Sequence, residues 1–310
     1  MANLQYTLQS GRRLGVTAMG RPGSRRVIVF CHSAPGSSLF DPDPYVSSSR
    51  DVHILAFDRP GYGSSDPLPD GQWPTVGQAA DDIGEYLRAS ENTAHGLDRH
   101  EFDSVGAVGW SAGGTVALAL AAQHPDLVDR VAVVGTPAPD DKVPWIDPEL
   151  AEVTDRLAKE SPDAAIEQLV DIFRTQLADR LPSQDPEDPA PLDLLKPCGA
   201  DEDALDRPGV RQRLGVMLRD AFRQGPVGVA SDILGYVTQP RAFDFSDVHA
   251  KTLVVYGEAD AVAGRKHAVW YRRHIDDVRV EMVPNVGHLA IIPAWDRLLA
   301  FLAPGTKPRL

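Results

Sequence analysis

The chain has 310 residues, enough for one large domain with an insertion or for two modest domains, each with a substantial core. Hydrophobic residues make up 43% and charged residues 24% of the sequence, which is ordinary for a globular protein and argues against disorder. The formal net charge of −13 disfavours binding to nucleic acid or to an anionic membrane surface, and no apolar run reaches the roughly 20 residues of a membrane-spanning helix.

Two further features concern the cellular compartment. The N-terminal segment MANLQYTLQSGRR lacks the apolar core of a signal peptide, so we expect a cytoplasmic protein. Cys31 and Cys198 follow no spacing pattern, and a reducing compartment favours two free thiols over a disulfide.

The predicted elements of the first half alternate between strands and helices. The segments LQYTLQS and RRLGVTAMG predict a hairpin with Ser10 and Gly11 in its turn, and therefore an antiparallel edge. Short apolar runs and helical patterns follow in residues 25–32, 51–58, 76–90, 104–110, 115–124 and 128–136. Strands that are apolar on both faces and separated by helices predict an α/β fold with a mostly parallel sheet covered by helices on both sides.

The composition changes near residue 139. From there to about residue 239, helical segments alternate with loops rich in Pro and Asp, and no strand-like run stands out. Strand patterns return with KTLVVYGEAD and VRVEMVP, and a final helical segment AWDRLLAFLA follows. We therefore predict a core domain formed by residues 1–138 and 246–310, with a helical lid inserted at 139–245.

The stretch GWSAGG lies where an apolar strand gives way to a helical segment. In one interpretation Ser111 only caps the helix, because serine is a favoured N-cap residue. In the other, Gly109 and Gly113 leave room for a G-x-S-x-G nucleophile elbow that presents the Ser111 hydroxyl in a cleft. The second interpretation requires a general base and an acid elsewhere in the chain, because an unassisted hydroxyl is a poor nucleophile.

Candidate partners for Ser111 follow two later strands. His288 lies in a Gly-containing loop after the last predicted strand, and Asp260 follows the strand before it. Loops at the carboxyl ends of parallel strands are where an open α/β sheet gathers its site residues. The order Ser, Asp, His along the chain is the one expected for this kind of hydrolase. Glu258, two residues upstream, and Asp140, after an earlier strand, are alternative acids. We rank Asp260 first because it lies farther beyond the strand than Glu258, where its side chain can reach the loop of His288.

An acyl-transfer site also needs hydrogen-bond donors for the oxyanion. We predict the backbone N–H of Ala112, the residue after the nucleophile, and that of Ala34 in the turn after VIVFCH. Pro35 has no N–H to offer. His32 is expected to support this turn rather than to transfer protons.

Five motifs in this order resemble those of the α/β-hydrolase superfamily, specifically lidded, esterase-like bacterial serine hydrolases. CHSAPGSS resembles the H-G-x-P-G oxyanion turn, FDRPGYGSSD is similar to D-x-P-G-x-G-x-S, and GWSAGG, YGEAD and NVGHLA match the elbow, the acid loop and the histidine loop. The resemblance implies the α/β-hydrolase fold and the trio Ser111, Asp260 and His288. Ser33 stands where the family usually has glycine, which would strain the turn if a positive φ were required there. A serine at the elbow argues against epoxide opening and halide displacement, which use an aspartate nucleophile in this superfamily.

Metal and cofactor sites have no support in the sequence. It contains no H-E-x-x-H, no paired C-x-x-C, no phosphate loop and no dinucleotide-binding glycine spacing, so we expect neither a metal nor a cofactor. His267 and His274 are expected at the surface of one helix rather than as ligands.

Five aromatic residues are candidates for contact with a substrate. Trp110 adjoins the elbow, and Trp145, Phe173, Phe222 and Tyr236 lie in the predicted lid. The lid aromatics either line an acyl pocket or pack the lid, and the sequence does not separate these two roles.

These observations predict a serine hydrolase that cleaves a small or medium, fairly apolar carboxylic ester, lactone or thioester through an acyl-enzyme intermediate. The alternatives are a peptidase that releases N-terminal residues, a lyase with the same trio, and a ligand-binding protein without turnover. The expected partner is a small-molecule substrate, and the expected state is a monomer or homodimer.

Overall fold

The computed structural model of the protein describes residues 2–89, 102, 104–183, 185, 188 and 190–306. Within this part, eight strands form one sheet: β1 Ala2–Thr7, β2 Arg13–Gly20, β3 Val27–Cys31, β4 His53–Phe57, β5 Val105–Trp110, β6 Val128–Val134, β7 Lys251–Gly257 and β8 Val278–Val283. The strand order across the sheet is β1-β2-β4-β3-β5-β6-β7-β8.

The sheet is mostly parallel with one antiparallel edge. β1 pairs with β2, and β2 with β4, in antiparallel register, which confirms the predicted N-terminal hairpin. All pairings from β4 across to β8 are parallel. The central strands β3, β4 and β5 are buried along their whole length, which explains why their sequences are continuous apolar runs.

Ten α-helices are described: α1 Pro44–Ser49, α2 Val76–Arg88, α3 Ala112–Gln123, α4 Pro148–Leu157, α5 Pro162–Gln176, α6 Glu202–Leu205, α7 Val210–Ala221, α8 Val227–Val237, α9 Arg265–His274 and α10 Ile291–Leu302. Alternate residues of each strand face opposite sides of the sheet, so Val29 belongs to the core cluster that includes residues of α2, α3 and α9, whereas Phe30 belongs to the one that includes residues of α10. None of the described helices combines the length and the apolar character needed to cross a membrane.

The segment between β6 and β7 contains α4 to α8 and no strand among its described residues. Two of these helices begin at N-cap residues that can be recognised in the sequence. The Asp147 carboxylate accepts the N–H of Glu149 ahead of α4, and the Ser161 hydroxyl accepts that of Ala164 ahead of α5. Proline follows each capping residue, at the first helical position where its missing N–H costs nothing.

This insertion packs in two separate ways. The outer layer, which we define as α4, α5 and α8, has a small apolar cluster of its own, centred on Leu169 and Leu234. The inner layer, defined as residues 192–221 with α6 and α7, places Leu214 and Leu218 in the main core cluster that also contains Trp295. The insertion is therefore partly a covering layer and partly an extension of the core.

Candidate active site

Ser111 lies at the junction of β5 and α3 with a strained backbone. Its φ is 54° and its ψ is −126°, a conformation that non-glycine residues rarely adopt. Its N–H donates to the carbonyl of Val134 over 2.8 Å, which ties the turn to β6. The Ser111 side chain makes no capping hydrogen bond to α3, so the capping interpretation does not describe this residue.

The glycines around Ser111 are required by close backbone approach. A Cβ at Gly109 would overlap the carbonyl of Gly113, and a Cβ at Gly113 would overlap the carbonyls of the chain that ends β3, at Cys31 and His32. Larger residues would push α3 away from β3 and flatten the turn. The sharp strand-to-helix turn therefore depends on both glycines.

Ser111, His288 and Asp260 form a continuous hydrogen-bonded series. The Ser111 Oγ lies 3.0 Å from His288 Nε2, and His288 Nδ1 lies 3.0 Å from Asp260 Oδ2. Because a carboxylate only accepts, Nδ1 carries the proton and Nε2 is left to accept the serine hydroxyl proton. All three residues are buried, so few water molecules compete for these bonds. These distances and this burial are what a nucleophilic serine, its general base and an orienting acid require.

The environment of Asp260 keeps its carboxyl ionised. Burial raises its pKa, but hydrogen bonds from His288 and from the N–H groups of Ala263 and Val262 outweigh that effect, so the net pKa is lowered. The two backbone bonds reach Oδ1 at 2.8 Å from Val262 and 2.9 Å from Ala263. A fixed negative charge therefore faces His288.

The two alternative acids have other partners. Glu258 accepts the N–H of Asn285 through Oε2 at 3.1 Å and lies exposed. Asp140 accepts the N–H groups of Trp145 and Ile146 at 2.7 and 2.9 Å, which organises the start of the insertion. Neither carboxylate is hydrogen-bonded to His288.

The two predicted oxyanion donors lie beside Ser111. Ala34 and Ala112 line the same cavity as Ser111. Ala112 is the first residue of α3, where backbone N–H groups have no acceptor within the helix. Both residues therefore border the same cavity as the Ser111 side chain.

The serine in the oxyanion turn does not strain it. Among described residues other than glycine, positive φ occurs at Ser111, Lys196 and Asn285, and Ser33 is not one of them. The Ser33 hydroxyl donates to the carbonyl of Pro35 over 2.7 Å and so braces the turn. The expected conflict at Ser33 does not arise.

His32 is a structural part of this turn, as expected. Its Nδ1 donates to the carbonyl of Ser33 at 2.7 Å, and its Nε2 accepts the N–H of Arg59 at 3.3 Å. Burial, and then the neighbouring Arg59 charge, hold the pKa of His32 well below its usual range. A neutral ring with both nitrogens occupied has no proton to exchange with a substrate.

Sequence reasoning missed a buried ion pair behind the turn. The Arg59 guanidinium donates to the carbonyls of His32 and Ser33 at 2.6 and 2.8 Å. It also binds both carboxylate oxygens of Asp232 on α8, the shortest contact being 2.7 Å, and the Tyr62 hydroxyl adds a bond of 2.8 Å to the same carboxylate. Arg59 belongs to the FDRPGYGSSD motif, but nothing local in that motif points to a partner 173 residues away.

The site opens into a cavity of about 440 Å³ between the core and the outer layer. From the core, Ser111 and Ala112 line it, and from the insertion Trp145, Ile233 and Tyr236 do so. The Tyr236 hydroxyl donates to the carbonyl of Ala112 at 2.6 Å, so α8 is fastened to the start of the nucleophile helix.

The aromatic candidates divide by position. Trp145 and Tyr236 line the cavity, whereas Phe173 lies in the apolar cluster of the outer layer and Phe222 packs against Tyr62. Trp110 is fully buried below the elbow. Two of the five aromatic residues therefore line the cavity, and the other three pack inside the protein.

The two histidines of α9 differ from each other. His274 is exposed and stacks on Trp270 at 3.9 Å between ring centroids, as a surface residue can. The surface expectation was wrong for His267, which is buried and accepts the N–H of Ala138 through Nδ1 at 3.0 Å. In the part of the chain that the structure describes, no cluster of His, Cys, Asp or Glu suits a metal ion.

The order of the strands, the insertion and the site residues along the chain matches that of a known fold family. A model of the alpha/beta hydrolase fold matches residues 26–294. The chain belongs to the α/β-hydrolase family. Residues 26–294 of this α/β-hydrolase include the oxyanion turn, the elbow, the whole insertion and the histidine loop, so the family covers every part of the site described above.

Individual relatives of this α/β-hydrolase are distant. The serine hydrolase BPHL of Mus musculus is 25% identical over 254 residues, which cover 82% of this chain and 69% of BPHL. The esterase EaEST of Exiguobacterium antarcticum superposes with a TM-score of 0.65 at 19% identity over 96% of both chains. The enol-lactonase of Burkholderia xenovorans superposes with a TM-score of 0.62 at 20% identity over 95% of this chain and 96% of its own. At such identities the structural likeness establishes the fold.

Proposed function

We propose that this α/β-hydrolase is a serine hydrolase that cleaves a small or medium, fairly apolar carboxylic ester, lactone or thioester. The observation that carries the proposal is the hydrogen-bonded series Ser111–His288–Asp260 opening into the cavity. The names of the relatives, a serine hydrolase, an esterase and an enol-lactonase, support an acyl substrate of this kind.

Hydrolysis proceeds in two stages, acylation of Ser111 and then hydrolysis of the acyl-enzyme. His288 Nε2 takes the hydroxyl proton of Ser111 while Oγ attacks the substrate carbonyl carbon, and the N–H groups of Ala34 and Ala112 hold the oxyanion. When the carbonyl re-forms, the bond to the leaving oxygen or sulfur breaks, and His288 returns the proton to the leaving group. His288 then takes a proton from a water molecule that attacks the acyl carbon, and when the bond from that carbon to Oγ breaks, the acid leaves and His288 returns the proton to Ser111 Oγ.

The cavity wall favours apolar groups. The Tyr236 hydroxyl donates to the carbonyl of Ala112, and the Tyr271 hydroxyl donates to that of Pro137 at 2.7 Å, so both rings turn apolar surface toward the cavity. Ile233 adds aliphatic surface. Each methylene that leaves water for such a wall contributes about 0.8 kcal/mol to binding.

A second candidate is a peptidase that releases N-terminal residues, and one observation favours it. Asp140, Asp141 and Asp155 also line the cavity. Asp141 has cationic neighbours in Lys142 and Arg241, whereas Asp155 is exposed. A carboxylate at this wall would pair with the free ammonium group of an aminoacyl substrate.

The test combines a fluorophosphonate probe with a substrate panel. The probe should label Ser111, and Ser111→Ala should abolish both labelling and turnover of p-nitrophenyl esters. Ser231→Ala, at a serine that is equally buried in α8, is the matched control and should leave labelling unchanged.

The panel separates the candidates. It contains esters, a lactone, a thioester and an aminoacyl amide. Preference for the amide over its ester would favour the peptidase. Labelling of another serine, or labelling of Ser111 without turnover of any of these substrates, would contradict the hydrolase proposal.

A further inference from the structure

The insertion supplies a buried carboxylate to the histidine loop. Asp201, which directly precedes α6, is fully buried. Its Oδ1 accepts the N–H of Gly287 at 2.8 Å and that of Leu289 at 3.1 Å. Its Oδ2 accepts the N–H of Cys198 at 2.9 Å, which fixes the carboxylate from its own side.

These bonds bracket His288. The N–H groups that Asp201 accepts belong to the residues on either side of the histidine, and the Trp110 Nε1 donates to the carbonyl of His288 itself at 3.0 Å. The backbone of the histidine is thus held at three successive residues. Hydrogen bonds to a charged acceptor are stronger than neutral ones, so Asp201 supplies the firmer of the two restraints.

The close fit of Gly287 supports the same conclusion. A Cβ at Gly287 would lie 2.5 Å from Asp201 Oδ2 and 2.5 Å from Cys198 Sγ. The loop can approach the carboxylate this closely only with glycine at that position. The close packing at Gly287 therefore indicates a specific contact between the histidine loop and Asp201.

We propose that Asp201 is a positioning residue for His288, supplied by the inner layer of the insertion. This inference rests on the proposed function of Ser111 and His288. His288 must keep two bonds of 3.0 Å at once, one to Ser111 and one to Asp260, and its backbone determines where both ring nitrogens lie. A displacement of about 1 Å in such an arrangement costs roughly 100-fold in rate.

The test compares Asp201→Ala, Asp201→Asn and the wild type with p-nitrophenyl butyrate. Asp201→Ala should lower kcat and the rate of fluorophosphonate labelling by roughly 100-fold, while KM stays near the wild-type value because the cavity wall is intact. Asp201→Asn keeps an oxygen for Gly287 and Leu289, so its decrease should be smaller. Gly287→Ala should reproduce the kcat loss from the other side of the contact.

Asp41→Ala is the matched control. Asp41 is also a buried carboxylate that accepts a backbone N–H, from Asp43 at 3.1 Å, but it has no contact with the histidine loop. Its removal should leave kcat unchanged. A kcat loss of equal size in Asp41→Ala and Asp201→Ala would overturn the inference, because general destabilisation would then explain both.

A spectroscopic readout keeps the inference separate from the proposed function. In proton NMR, the His288 Nδ1–H bonded to Asp260 should give a low-field resonance that is lost in Asp201→Ala and retained in Asp41→Ala. Retention in both variants overturns the positioning role, whether or not the protein turns over esters. If Asp201→Ala does not fold, weakening of this resonance in Asp201→Asn supports the inference and an unchanged resonance overturns it. Absence of labelling in the wild type would instead reject the proposed function.

Discussion

The outer and inner layers of the insertion are neighbours in sequence but pack their apolar side chains against different parts of the protein. The outer layer encloses its own cluster around Leu169 and borders the cavity. The inner layer packs mainly into the main core, where Leu214 and Trp295 belong to one cluster. Under the two proposals above, this single insertion combines a cover, which selects substrates, with a brace, which supports the chemistry.

The largest expected effect tests whether the acid that orients His288 lies in the core domain, at Asp260, or in the insertion, at Asp140. Asp260→Asn should lower kcat by roughly 10⁴-fold, because the amide cannot hold His288 with its proton on Nδ1. Asp140→Asn is the matched change at the start of the insertion and should affect KM more than kcat, since Asp140 organises the cavity wall near Trp145. Steady-state kinetics with one ester would measure both, and equal kcat losses would contradict the assignment of Asp260 as the acid.

The next effect concerns stability and compares the two layers directly. Leu214 and Leu169 are both fully buried, so Leu→Ala at either removes similar packing and costs about 2–5 kcal/mol locally. We expect Leu214→Ala to shift the global denaturant midpoint by that amount. Leu169→Ala should shift it less and should mainly speed hydrogen exchange in α5 and α8. Equal midpoint shifts would mean that both layers unfold together with the core.

A pH effect should mark the contact between the inner layer and the core. Burial, and then the charge of Asp220 on α7, raise the pKa of Asp58 from 3.8 to about 6. Because this folded pKa exceeds the unfolded value, the fold favours the protonated form. The stabilising contribution of Asp58 is therefore present in full below about pH 4 and is lost as the pH rises through about 6, by about 1.4 kcal/mol for each unit of pKa shift.

Removing the Asp220 charge should reduce that loss. Asp220→Asn is expected to raise stability more at pH 7 than at pH 4.5, measured by denaturant unfolding at both values. Asp203→Asn, at an exposed carboxylate of α6, changes the net charge equally and should leave the pH dependence unaltered. A similar response of the two variants would show that overall charge, and not this contact, determines the pH dependence.

The smallest effect concerns substrate choice in the outer layer. Trp145→Ala and Tyr236→Ala should change the preference for acyl length by about fourfold per methylene, the ratio that corresponds to about 0.8 kcal/mol. Phe173→Ala and Phe222→Ala are the matched controls, since these rings pack within the protein away from the cavity wall. Relative kcat/KM along an ester series would measure this. If the Phe variants alter the profile as much as the Trp and Tyr variants do, the division between wall and packing is wrong.

Local patterns explain why the fold, and the placement of Ser111, Asp260 and His288 beside one another, could be predicted. The elbow is set by glycines within four residues of each other, and Asp260 and His288 each follow a strand whose apolar run is visible in the sequence. Parallel strands bring their carboxyl ends together, so three short motifs were enough to place Ser111 beside both partners.

The supporting contacts could not be predicted because their partners are remote. Asp201 lies in a segment with many aspartates, and the N–H groups that it accepts are 86 and 88 residues away. Trp145 lies in the loop before α4 and Phe173 lies in α5, both in sequence rich in polar residues, and the packing of the folded chain decides which one reaches the cavity. Periodicity identifies a buried face but not its neighbour.

The ion pair between Arg59 and Asp232 limits how this protein could be redesigned. A chimaera that exchanged the outer layer for that of another hydrolase would keep Arg59 but discard its carboxylate partner. An unpaired guanidinium buried at this depth would cost about 3–5 kcal/mol. The two carbonyls that it holds, at His32 and Ser33, directly precede Ala34, so the damage would reach the oxyanion turn. Recombination at the boundaries of the insertion therefore has to transfer an aspartate on α8 or replace Arg59 at the same time.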